Sequence, residues 1–520
     1  MSRKIVIDPV TRIEGHLKIE AVVDNGEVKE ARCTGNMFRG IELMMRGRDP
    51  RDATVISQRI CGVCPQDHGN ASALCLDSAF GVDDRIPDNA RLMRNLIHGA
   101  HMVQDHILHF YHLAALDYVD IKDVAKYQGP DAQLNSIKDF ISRGELAPFL
   151  PRYEGDYRLP PEVNQQAVAH YVQALEIRRI GHEMVSIFSA QAPHSAGVVA
   201  GGVTNAPTVD KITSFLWKLR TLREFIDSTY IPDVLAVAGA YADYTEIGAG
   251  CKNYLSYGGF DLDGKERDLA RRKRLYRQGT TSASLKWQAL DAGRITEDVR
   301  HSWYEDSTSG RHPYEGDTVP RTGKQGAYSW TKAPRYDGQV HEVGPLARVA
   351  VTYASGDGAM KSLVDWALGE LKAPASALFS TCGRHLARAL CAKFVADNME
   401  SWLMALKPGE PHYVPYEMPE EAKGFGILEA ARGALGHWIE IKDHKTANFQ
   451  AVVPTTWNVS PRDDRGNPGP IEQALIGTRV KDEKNPFELV RIARSFDPCM
   501  ACSVHVITPK GRDLGRFQVL

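Results

Sequence analysis

Two short stretches near the ends of the chain each contain two cysteines in a Cys-x-x-Cys pair. The segment Arg59–His68 reads RICGVCPQDH, and the segment Asp497–His505 reads DPCMACSVH. Together the pairs supply four thiol groups, enough for a tetrahedral zinc site or for a sulfur-rich nickel or iron site. Because 435 positions separate Cys64 from Cys499 (499 − 64), a site built from both pairs must join the two ends of the chain deep in the fold.

A single Cys-x-x-Cys pair has several interpretations: half of a zinc site, a redox pair or a chance occurrence. Five further cysteines lie scattered without ligand spacing: Cys33, Cys75, Cys251, Cys382 and Cys391. Nine cysteines in 520 residues are too sparse, and odd in number, for a disulfide scaffold. The pattern favours thiols kept for metal or redox chemistry. Deep burial is more natural for a protected reaction centre than for a structural zinc ion.

Composition places the chain among ordinary globular proteins. Its 63 Lys and Arg residues nearly balance 65 Asp and Glu residues, giving a formal net charge of −2. Nucleic-acid binders normally carry a basic excess, so we expect no nucleic-acid partner. No apolar run approaches the roughly 20 residues that span a bilayer. Because Ile5–Ile7 is too short for a signal-peptide core, we expect no export or membrane signal in the chain itself.

Hydrophobic periodicity predicts mainly helices, with a β-sheet at the start. Strands are expected at Lys4–Val10, His16–Val23 and Val28–Thr34, the last two joined by a hairpin turn at Asp24–Gly26. Apolar residues at helical spacing predict helices at Arg91–Leu116, Val163–Phe188, Thr208–Tyr241, Met360–Leu371, His385–Leu406 and Glu488–Arg494. The stretch Gly250–Gly344, rich in Gly, Tyr, Arg and Asp, predicts a loop-dominated region. One large domain is expected, because no repeat or linker interrupts the chain.

The cysteine motifs resemble those of the large subunits of nickel–iron hydrogenases. The resemblance begins at Arg12–His16 (RIEGH), continues through the first cysteine pair with His68, and ends at the second pair with His505. Further matching blocks lie at Phe38–Glu42, Gly201–Thr204, Tyr336–Gly338, Glu342–Arg348, Arg432–Leu435 and Val452–Asn458. These blocks span almost the whole chain and look most like the membrane-associated uptake branch. The resemblance implies the family fold, mainly α with small peripheral β-sheets and long helices around a buried metal site.

The resemblance also implies a nickel–iron centre whose iron carries carbon monoxide and cyanide. By the family pattern, Cys64 and Cys502 bridge the two metals, and Cys61 and Cys499 are terminal ligands of nickel. Thiolates suit a soft nickel ion. The implied reaction is the reversible, heterolytic cleavage of dihydrogen, in which the Cys499 thiolate takes a proton.

Charged residues matching the family surround this centre. Glu14 matches the carboxylate that relays protons from the terminal cysteine, and within this motif the relay is favoured over the alternative of a cap or an ion-pair partner. Arg432, Asp105 and Asp497 match a canopy of charges above the open metal position. A fixed guanidinium there could orient or polarise dihydrogen, with the two aspartates holding it.

Smaller groups complete the implied cofactor pocket. Thr455 matches a hydroxyl that hydrogen-bonds a cyanide ligand, and Pro454 and Ala431 are expected to lie at the same pocket. His68 matches a donor near the bridging Cys64. Ala431 departs from the family pattern, because proline is common at this position. The departure puts the detailed arrangement of the charged canopy and the cyanide pocket in question, but not the function.

A second, hard-cation site is implied at the C-terminus. Glu42, the main-chain carbonyl of Ala451 and His505 match a family magnesium site, and such mixed oxygen-rich ligation suits that ion. In the family a maturation peptidase removes the extension after the histidine once nickel has been inserted. The resemblance thus predicts a mature domain at 1–505 and a cleavable extension at Val506–Leu520, for which an ordinary C-terminal strand is the alternative.

Partners follow from the same resemblance. Beyond the four metal cysteines no spacing typical of an iron–sulfur cluster remains, so an iron–sulfur small subunit is expected to carry electrons away. Nickel-insertion proteins, the maturation peptidase and a membrane cytochrome or anchor subunit are further expected partners. We expect maturation in the cytoplasm and then a periplasmic, membrane-associated location reached through the small subunit.

Three other functions compete with a hydrogenase. A hydrogen sensor uses the same centre but generally lacks the cleavable extension. A respiratory-complex subunit of the same descent has lost the four cysteines, which are all present here. A zinc-stabilised structural protein would leave Glu14 and the extension without a role.

Overall fold

The computed structural model describes residues 2–144, 155–269 and 271–503, and in these ranges the fold is mainly α with small sheets, as expected. The helices are α1 Ile41–Met45, α2 Ala53–Ile56, α3 Pro65–Ala79, α4 Asp88–Leu108, α5 Ala132–Ser142, α6 Pro161–Ser189, α7 Val209–Phe225, α8 Ile231–Ala240, α9 Pro345–Ala354, α10 Gly358–Glu370, α11 Thr381–Met404, α12 Pro454–Asn458, α13 Pro470–Leu475, α14 Phe487–Ser495 and α15 Met500–Ser503. The strands are β1 Arg3–Ile7, β2 Leu17–Asp24, β3 Glu27–Gly35, β4 Val198–Val199, β5 Gly202–Val203, β6 Asn253–Asp261, β7 Arg274–Ser282, β8 Ile295–Asp298, β9 Ala333–Tyr336, β10 Ala422–Ala430, β11 Gly433–Lys442 and β12 Lys445–Val452.

The N-terminal sheet has the predicted strands and turn. Strands β1, β2 and β3 pair in that order, all antiparallel. The turn residues Asn25 and Gly26 have φ values of 52° and 73°, the left-handed conformation that a two-residue hairpin of this kind requires. One face of the sheet packs with side chains of α13 and α14 in a shared hydrophobic core. This packing brings the two ends of the chain together.

Long helices form the largest core. Helices α4, α6, α7, α8, α10 and α11 correspond to the helices predicted from apolar periodicity, and their buried faces share one hydrophobic cluster. Helix α4 continues through a π-helical stretch, His109–Ala114, and a similar stretch, Ile226–Tyr230, joins α7 to α8. Among the described residues no helix combines the length and the apolar character that crossing a membrane requires.

The prediction of a loop-dominated region at Gly250–Gly344 is wrong in part, because β6 to β9 lie within it. Strands β6 and β7 form an antiparallel pair that is mostly buried. The charged residues that suggested loops form buried ion pairs instead. Asp261 accepts from Arg272 Nη1 at 2.9 Å and from Arg274 Nε at 2.7 Å.

A second three-stranded sheet, β10–β11–β12, supports the metal-site region. Helix α3 packs directly against β10. A Cβ atom at Gly426 would come within 2.3 Å of the carbonyl oxygen of Ala71, so the strand leaves no room for a side chain there. Strands β10 and β11 pair as far as Ala430 and Gly433, so the two residues between them form the tip of a tight hairpin. Arg432 lies on this tip.

Candidate metal centre

The four cysteines of the two pairs converge on one point in the interior. Their Sγ atoms all lie within 4.8 Å of one another, and all four residues are buried. The Cys61–Cys499 and Cys64–Cys502 sulfur distances are both 3.1 Å, and the Cys499–Cys502 distance is 2.9 Å. A disulfide has a sulfur–sulfur length of about 2.0 Å, so these are separate thiols.

The first pair takes its shape from its own segment. A short 3-10 turn at Ser57–Ile60 leads into Cys61, whose backbone is extended, and α3 begins immediately after Cys64. The backbone N–H of Val63 donates to Cys61 Sγ at 3.2 Å. The loop therefore presents both sulfurs from one side of the N-terminus of α3.

The second pair is held by residues distant in sequence. The backbone N–H of Cys499 donates to Thr455 Oγ1 at 3.1 Å. The N–H of Met500 donates to the carbonyl oxygen of Glu14 at 2.8 Å, and the N–H of Ala501 donates to the Glu14 carboxylate at 2.7 Å. The N-terminal RIEGH motif and α12 thus fix the backbone of the second pair.

The donor set fits a soft metal centre. Burial, together with the neighbouring thiols, raises the pKa of the Cys499 thiol well above its ordinary value. Several thiolates packed this closely repel one another, so ionising them together requires a bound cation. Four buried thiolates are the ligands that nickel and iron centres of the sulfur-rich kind use.

Glu14 connects the cluster to the outside. Its carboxylate accepts from Cys499 Sγ at 3.3 Å, and its side chain is only partly buried. Burial raises the pKa of Glu14, and the Cys61 thiolate raises it further. A carboxyl group with a raised pKa, in contact with a thiol on one side and near the surface on the other, is suited to proton transfer.

Arg432, Asp105 and Asp497 come together next to the cluster. Arg432 Nη1 donates to Asp105 Oδ2 at 2.9 Å, and Nη2 donates to Asp497 Oδ1 at 3.0 Å, with all three residues buried. Burial raises the pKa of Asp105 to about 6 against the opposing effect of Arg432. Burial alone would lower the pKa of Arg432, but the two aspartates, with Cys499 and Cys64, raise it well above its ordinary value. The guanidinium is therefore a fixed positive charge.

His68 and Thr455 have contacts that differ in detail from those expected. His68 Nε2 lies 3.6 Å from Cys502 Sγ, whereas the family resemblance implies a donor near Cys64. Burial lowers the pKa of His68 to about 4, and His437 and Ser72 continue its hydrogen-bond chain. The Thr455 oxygen accepts the Cys499 N–H, and a hydroxyl that accepts one bond can still donate another to a ligand.

Asp67 and Arg348 also contact this region, although neither is among the site residues predicted from the sequence. Asp67, one residue before His68, is fully buried, and its carboxylate accepts from the backbone N–H of Ala431 at 3.0 Å. Arg348 donates to the carbonyl oxygen of Ala431 at 2.8 Å. Pro454 is buried at the first position of α12. Because an acidic residue is common in the first turn of a helix, the sequence holds no signal that singles out Asp67.

The expected magnesium ligands lie in a separate cluster. Glu42 Oε1 accepts from the backbone N–H of Ala451 at 2.9 Å, and Lys332 Nζ lies 3.8 Å from Glu42 Oε2. The same ammonium lies 3.2 Å from Glu297, a second buried carboxylate. His505 and the extension at 506–520 lie outside the described residues.

Comparisons with known proteins agree on one family. The family model for nickel-dependent hydrogenases matches residues 39–505, and a model described as HoxL-like matches residues 4–34. The periplasmic NiFeSe hydrogenase large subunit of Desulfomicrobium baculatum is 42% identical, over 97% of this chain and 95% of that protein. The uptake hydrogenase large subunit of Rhizobium leguminosarum bv. viciae is 38% identical, over 99% of this chain and 97% of that protein.

A solved structure gives the same result. The Ni-Fe-Se hydrogenase from D. vulgaris Hildenborough in the reduced state superposes with a TM-score of 0.85 and 44% identity, covering 97% of this chain and 100% of that chain. That protein is named for selenium, whereas the four candidate metal ligands of this chain are all cysteines. The chain belongs to the nickel-dependent hydrogenase family, as the large, catalytic subunit of a nickel–iron hydrogenase.

Proposed function

We propose that this large subunit converts dihydrogen reversibly into two protons and two electrons at the four-cysteine site, working mainly in uptake. The observation that carries the proposal is the contact of Glu14 with Cys499 at the edge of a buried cluster of four thiols. It combines a soft metal site with a proton acceptor in one place. The uptake hydrogenase of R. leguminosarum supports the uptake direction and argues against a sensor.

The four cysteines would hold the metals. As the family resemblance implies, Cys64 and Cys502 would be shared between the two metals and Cys61 and Cys499 would bind nickel alone, and we propose carbon monoxide and cyanide on the iron. When bound, this centre supplies the heterolytic cleavage of dihydrogen and takes up its two electrons. The burial of all four sulfurs keeps water away from that chemistry.

Proton removal falls to two side chains in contact. The Cys499 thiolate accepts a proton, and Glu14 takes it over the 3.3 Å that separates their sulfur and oxygen atoms. Because the pKa of Glu14 is raised, the carboxyl can hold the proton before passing it outward. The hydrogen bond from Ala501 to the same carboxylate keeps Glu14 in this orientation.

Charged and polar groups orient the reactants. Arg432, fixed by Asp105 and Asp497, would face the open metal position and polarise dihydrogen there. Thr455 and Pro454 at the start of α12, and Ala431 at the hairpin tip, would bound the pocket for a cyanide ligand. His68 would donate to a bridging sulfur, and its contact with Cys502 supports this.

Electrons must leave through a partner subunit. The loop of the first pair reaches the surface, with Gly62 and Arg59 exposed. Beside it lies an open cavity of about 210 Å³ lined by Val63, Gln104 and Arg178 among others. We propose that an iron–sulfur small subunit docks over this loop, because an electron acceptor must approach the metals closely.

Maturation and location are also proposals. Glu42 and Ala451 would hold magnesium together with His505 once a peptidase has removed 506–520 after nickel insertion. The neighbouring Lys332 and Glu297 would hydrogen-bond waters of that ion. The periplasmic relative from D. baculatum supports a periplasmic location, and maturation in the cytoplasm before that stays a prediction. Association with a membrane cytochrome or anchor stays a prediction.

Glu14→Gln tests the proton relay. The amide oxygen can still accept the Ala501 N–H, so we expect nickel and iron contents to stay unchanged. Turnover should fall about 100-fold to 1,000-fold, because the amide cannot carry a proton. Dihydrogen uptake with a dye acceptor and metal analysis on the matured heterodimer measure both effects. Glu30→Gln on the exposed part of β3 is the control. Unchanged turnover in Glu14→Gln, with normal metal content, would sink the relay assignment.

A further inference from the structure

The guanidinium of Arg432 depends on the position of a hairpin tip. Ala431 and Arg432 are the two residues that join β10 to β11. Gly433 follows with a φ of 128°, and a Cβ atom there would lie 2.5 Å from the backbone nitrogen of Gly344. The tip is therefore packed against another backbone, and a small shift of its peptide groups would move the Arg432 side chain.

Two buried charges of opposite sign bind the peptide groups of this tip. The Asp67 carboxylate accepts the N–H of Ala431 at 3.0 Å. On the other side, Arg348 Nη2 donates to the carbonyl oxygens of Ala430 at 2.5 Å and Ala431 at 2.8 Å. Arg348 is itself paired with Glu429 at 3.2 Å. Charged side chains thus bind both the backbone N–H and the carbonyl oxygen of Ala431.

Asp67 is kept ionised by two histidines of α4. His98 Nε2 lies 3.0 Å from Oδ1, and His101 Nε2 lies 3.7 Å from Oδ2. Burial alone would raise the pKa of Asp67, but His101 and His98 lower it far below its ordinary value. An ionised acceptor makes a stronger and shorter hydrogen bond than a neutral one, so the Ala431 N–H is firmly bound.

We propose that Asp67 is a positioning residue for Arg432: by binding the Ala431 N–H, it fixes the hairpin tip so that the guanidinium faces the metal site. Asp67 acts on Arg432 through the backbone of the tip, and its charge also raises the pKa of Asp105, in addition to the larger effect of burial. Proline has no N–H, so this hydrogen bond exists only because residue 431 is not proline. The inference rests on the proposed role of Arg432.

Four variants of the intact heterodimer test it: Asp67→Asn, Asp67→Ala, Ala431→Pro and the double variant Asp67→Ala/Ala431→Pro. The matched control is Asp77→Asn, also on α3, whose carboxylate is equally buried and binds the N–H of Gly201 at 2.7 Å and Arg94 at 2.5 Å. Asp77 lies away from the tip, so its loss should affect folding stability alone.

The first readout is independent of the metals. Hydrogen exchange of the peptide spanning 427–436 should accelerate about tenfold or more in Asp67→Asn and Asp67→Ala, since a hydrogen bond to a charged group is lost or weakened. The control Asp77→Asn should leave exchange in this peptide unchanged. Unchanged exchange in both Asp67 variants would overturn the proposal, whatever their activity.

The second readout reports on the metal site. We expect Asp67→Ala and Ala431→Pro each to shift the infrared bands of the diatomic ligands. Each should lower kcat about 10-fold to 100-fold, as displaced catalytic groups do, with KM little changed. The double variant should lose no more than either single variant, because both remove the same hydrogen bond. Additive losses, or bands and kcat like those of Asp77→Asn, contradict the proposal. If the wild-type enzyme lacks these infrared bands but residues 427–436 are protected from exchange, the proposed function is overturned. The hydrogen bond between Asp67 and Ala431 would then still hold the hairpin tip.

Discussion

The two cysteine pairs look alike in sequence but are built in different ways. The first pair is shaped by its own loop, with the Val63 N–H on Cys61 and α3 starting directly after Cys64. The second pair depends on Glu14 and Thr455, which lie hundreds and tens of positions away along the chain. The first half of the site thus takes much of its shape from its own segment, with added hydrogen bonds from Arg39 and to the Pro193 carbonyl oxygen. The other half forms only when the N-terminus, α12 and the C-terminal segment have met.

Because the two pairs are built differently, different substitutions should disrupt each of them. The first pair shares the stability of α3 and the sheet β10–β12, which pack without space for a Cβ atom at Gly426. The second pair shares the stability of the terminal region, made of β1–β3 with α13, α14 and α15. Changes in the terminal region should therefore loosen the second pair while leaving the first intact.

The largest effect expected within the terminal region is a pH effect at Glu472 of α13. Its carboxylate accepts from the backbone N–H of Cys33 at 2.9 Å and from the Tyr328 hydroxyl at 2.8 Å. Burial raises the pKa of Glu472 from 4.5 to about 7. The folded chain keeps this proton to a higher pH than the unfolded chain does. The contribution of the Glu472 proton to the free energy of unfolding is therefore complete below pH 4.5, and it is lost as the pH rises to about 7.

By linkage, this loss amounts to about 3 kcal/mol in the free energy of unfolding. Thermal melting of the matured protein between pH 5 and pH 8 should show a decrease that is smaller in Glu472→Gln, because glutamine stays neutral. Subtracting the pH dependence of the variant from that of the wild type leaves the contribution of Glu472 and removes that of the other buried acids. Identical pH slopes for the two proteins would contradict the assignment.

A smaller effect is expected at Thr455. Replacing it by valine leaves the buried Cys499 N–H without its acceptor, at a cost of about 1–2 kcal/mol. Nickel should then be released faster to a chelator, measured by metal analysis over time, and Thr455→Ser should restore retention. The control in the first pair is Ser57→Ala, which removes a hydroxyl donating to the His68 carbonyl oxygen at 3.2 Å. Equal nickel loss in Thr455→Val and Ser57→Ala would remove the distinction between the pairs.

Much of this architecture follows from the sequence. The hairpin at Asn25 and Gly26 has a turn dipeptide that needs left-handed backbone, and the long helices have clear apolar periodicity. The four cysteines were expected to meet because only both pairs together complete a ligand set. The roles of the surrounding residues were transferred from a resemblance, and they stay predictions although the structure brings Glu14, Arg432, Asp105 and Asp497 to the cluster.

The parts that escaped prediction depend on long-range pairing. Strands β6 and β7 were missed because Arg272 and Arg274, which suggested exposure, are buried against Asp261. The hydrogen bond from the Ala431 N–H to Asp67 was not predicted, because the two residues are 364 positions apart. No local sequence pattern indicates which distant N–H a carboxylate will bind. Ion pairs formed in the interior can therefore bury a segment whose charged composition predicts an exposed loop.

The most direct test of the central claim is metal analysis combined with infrared spectroscopy on the matured subunit, co-expressed with its partner subunit. If the four cysteines hold a nickel–iron centre, nickel and iron will be present in about equal amounts, and bands for metal-bound carbon monoxide and cyanide will appear. Zinc alone, without such bands, would contradict this prediction and would mean that the four cysteines serve structure instead of dihydrogen chemistry.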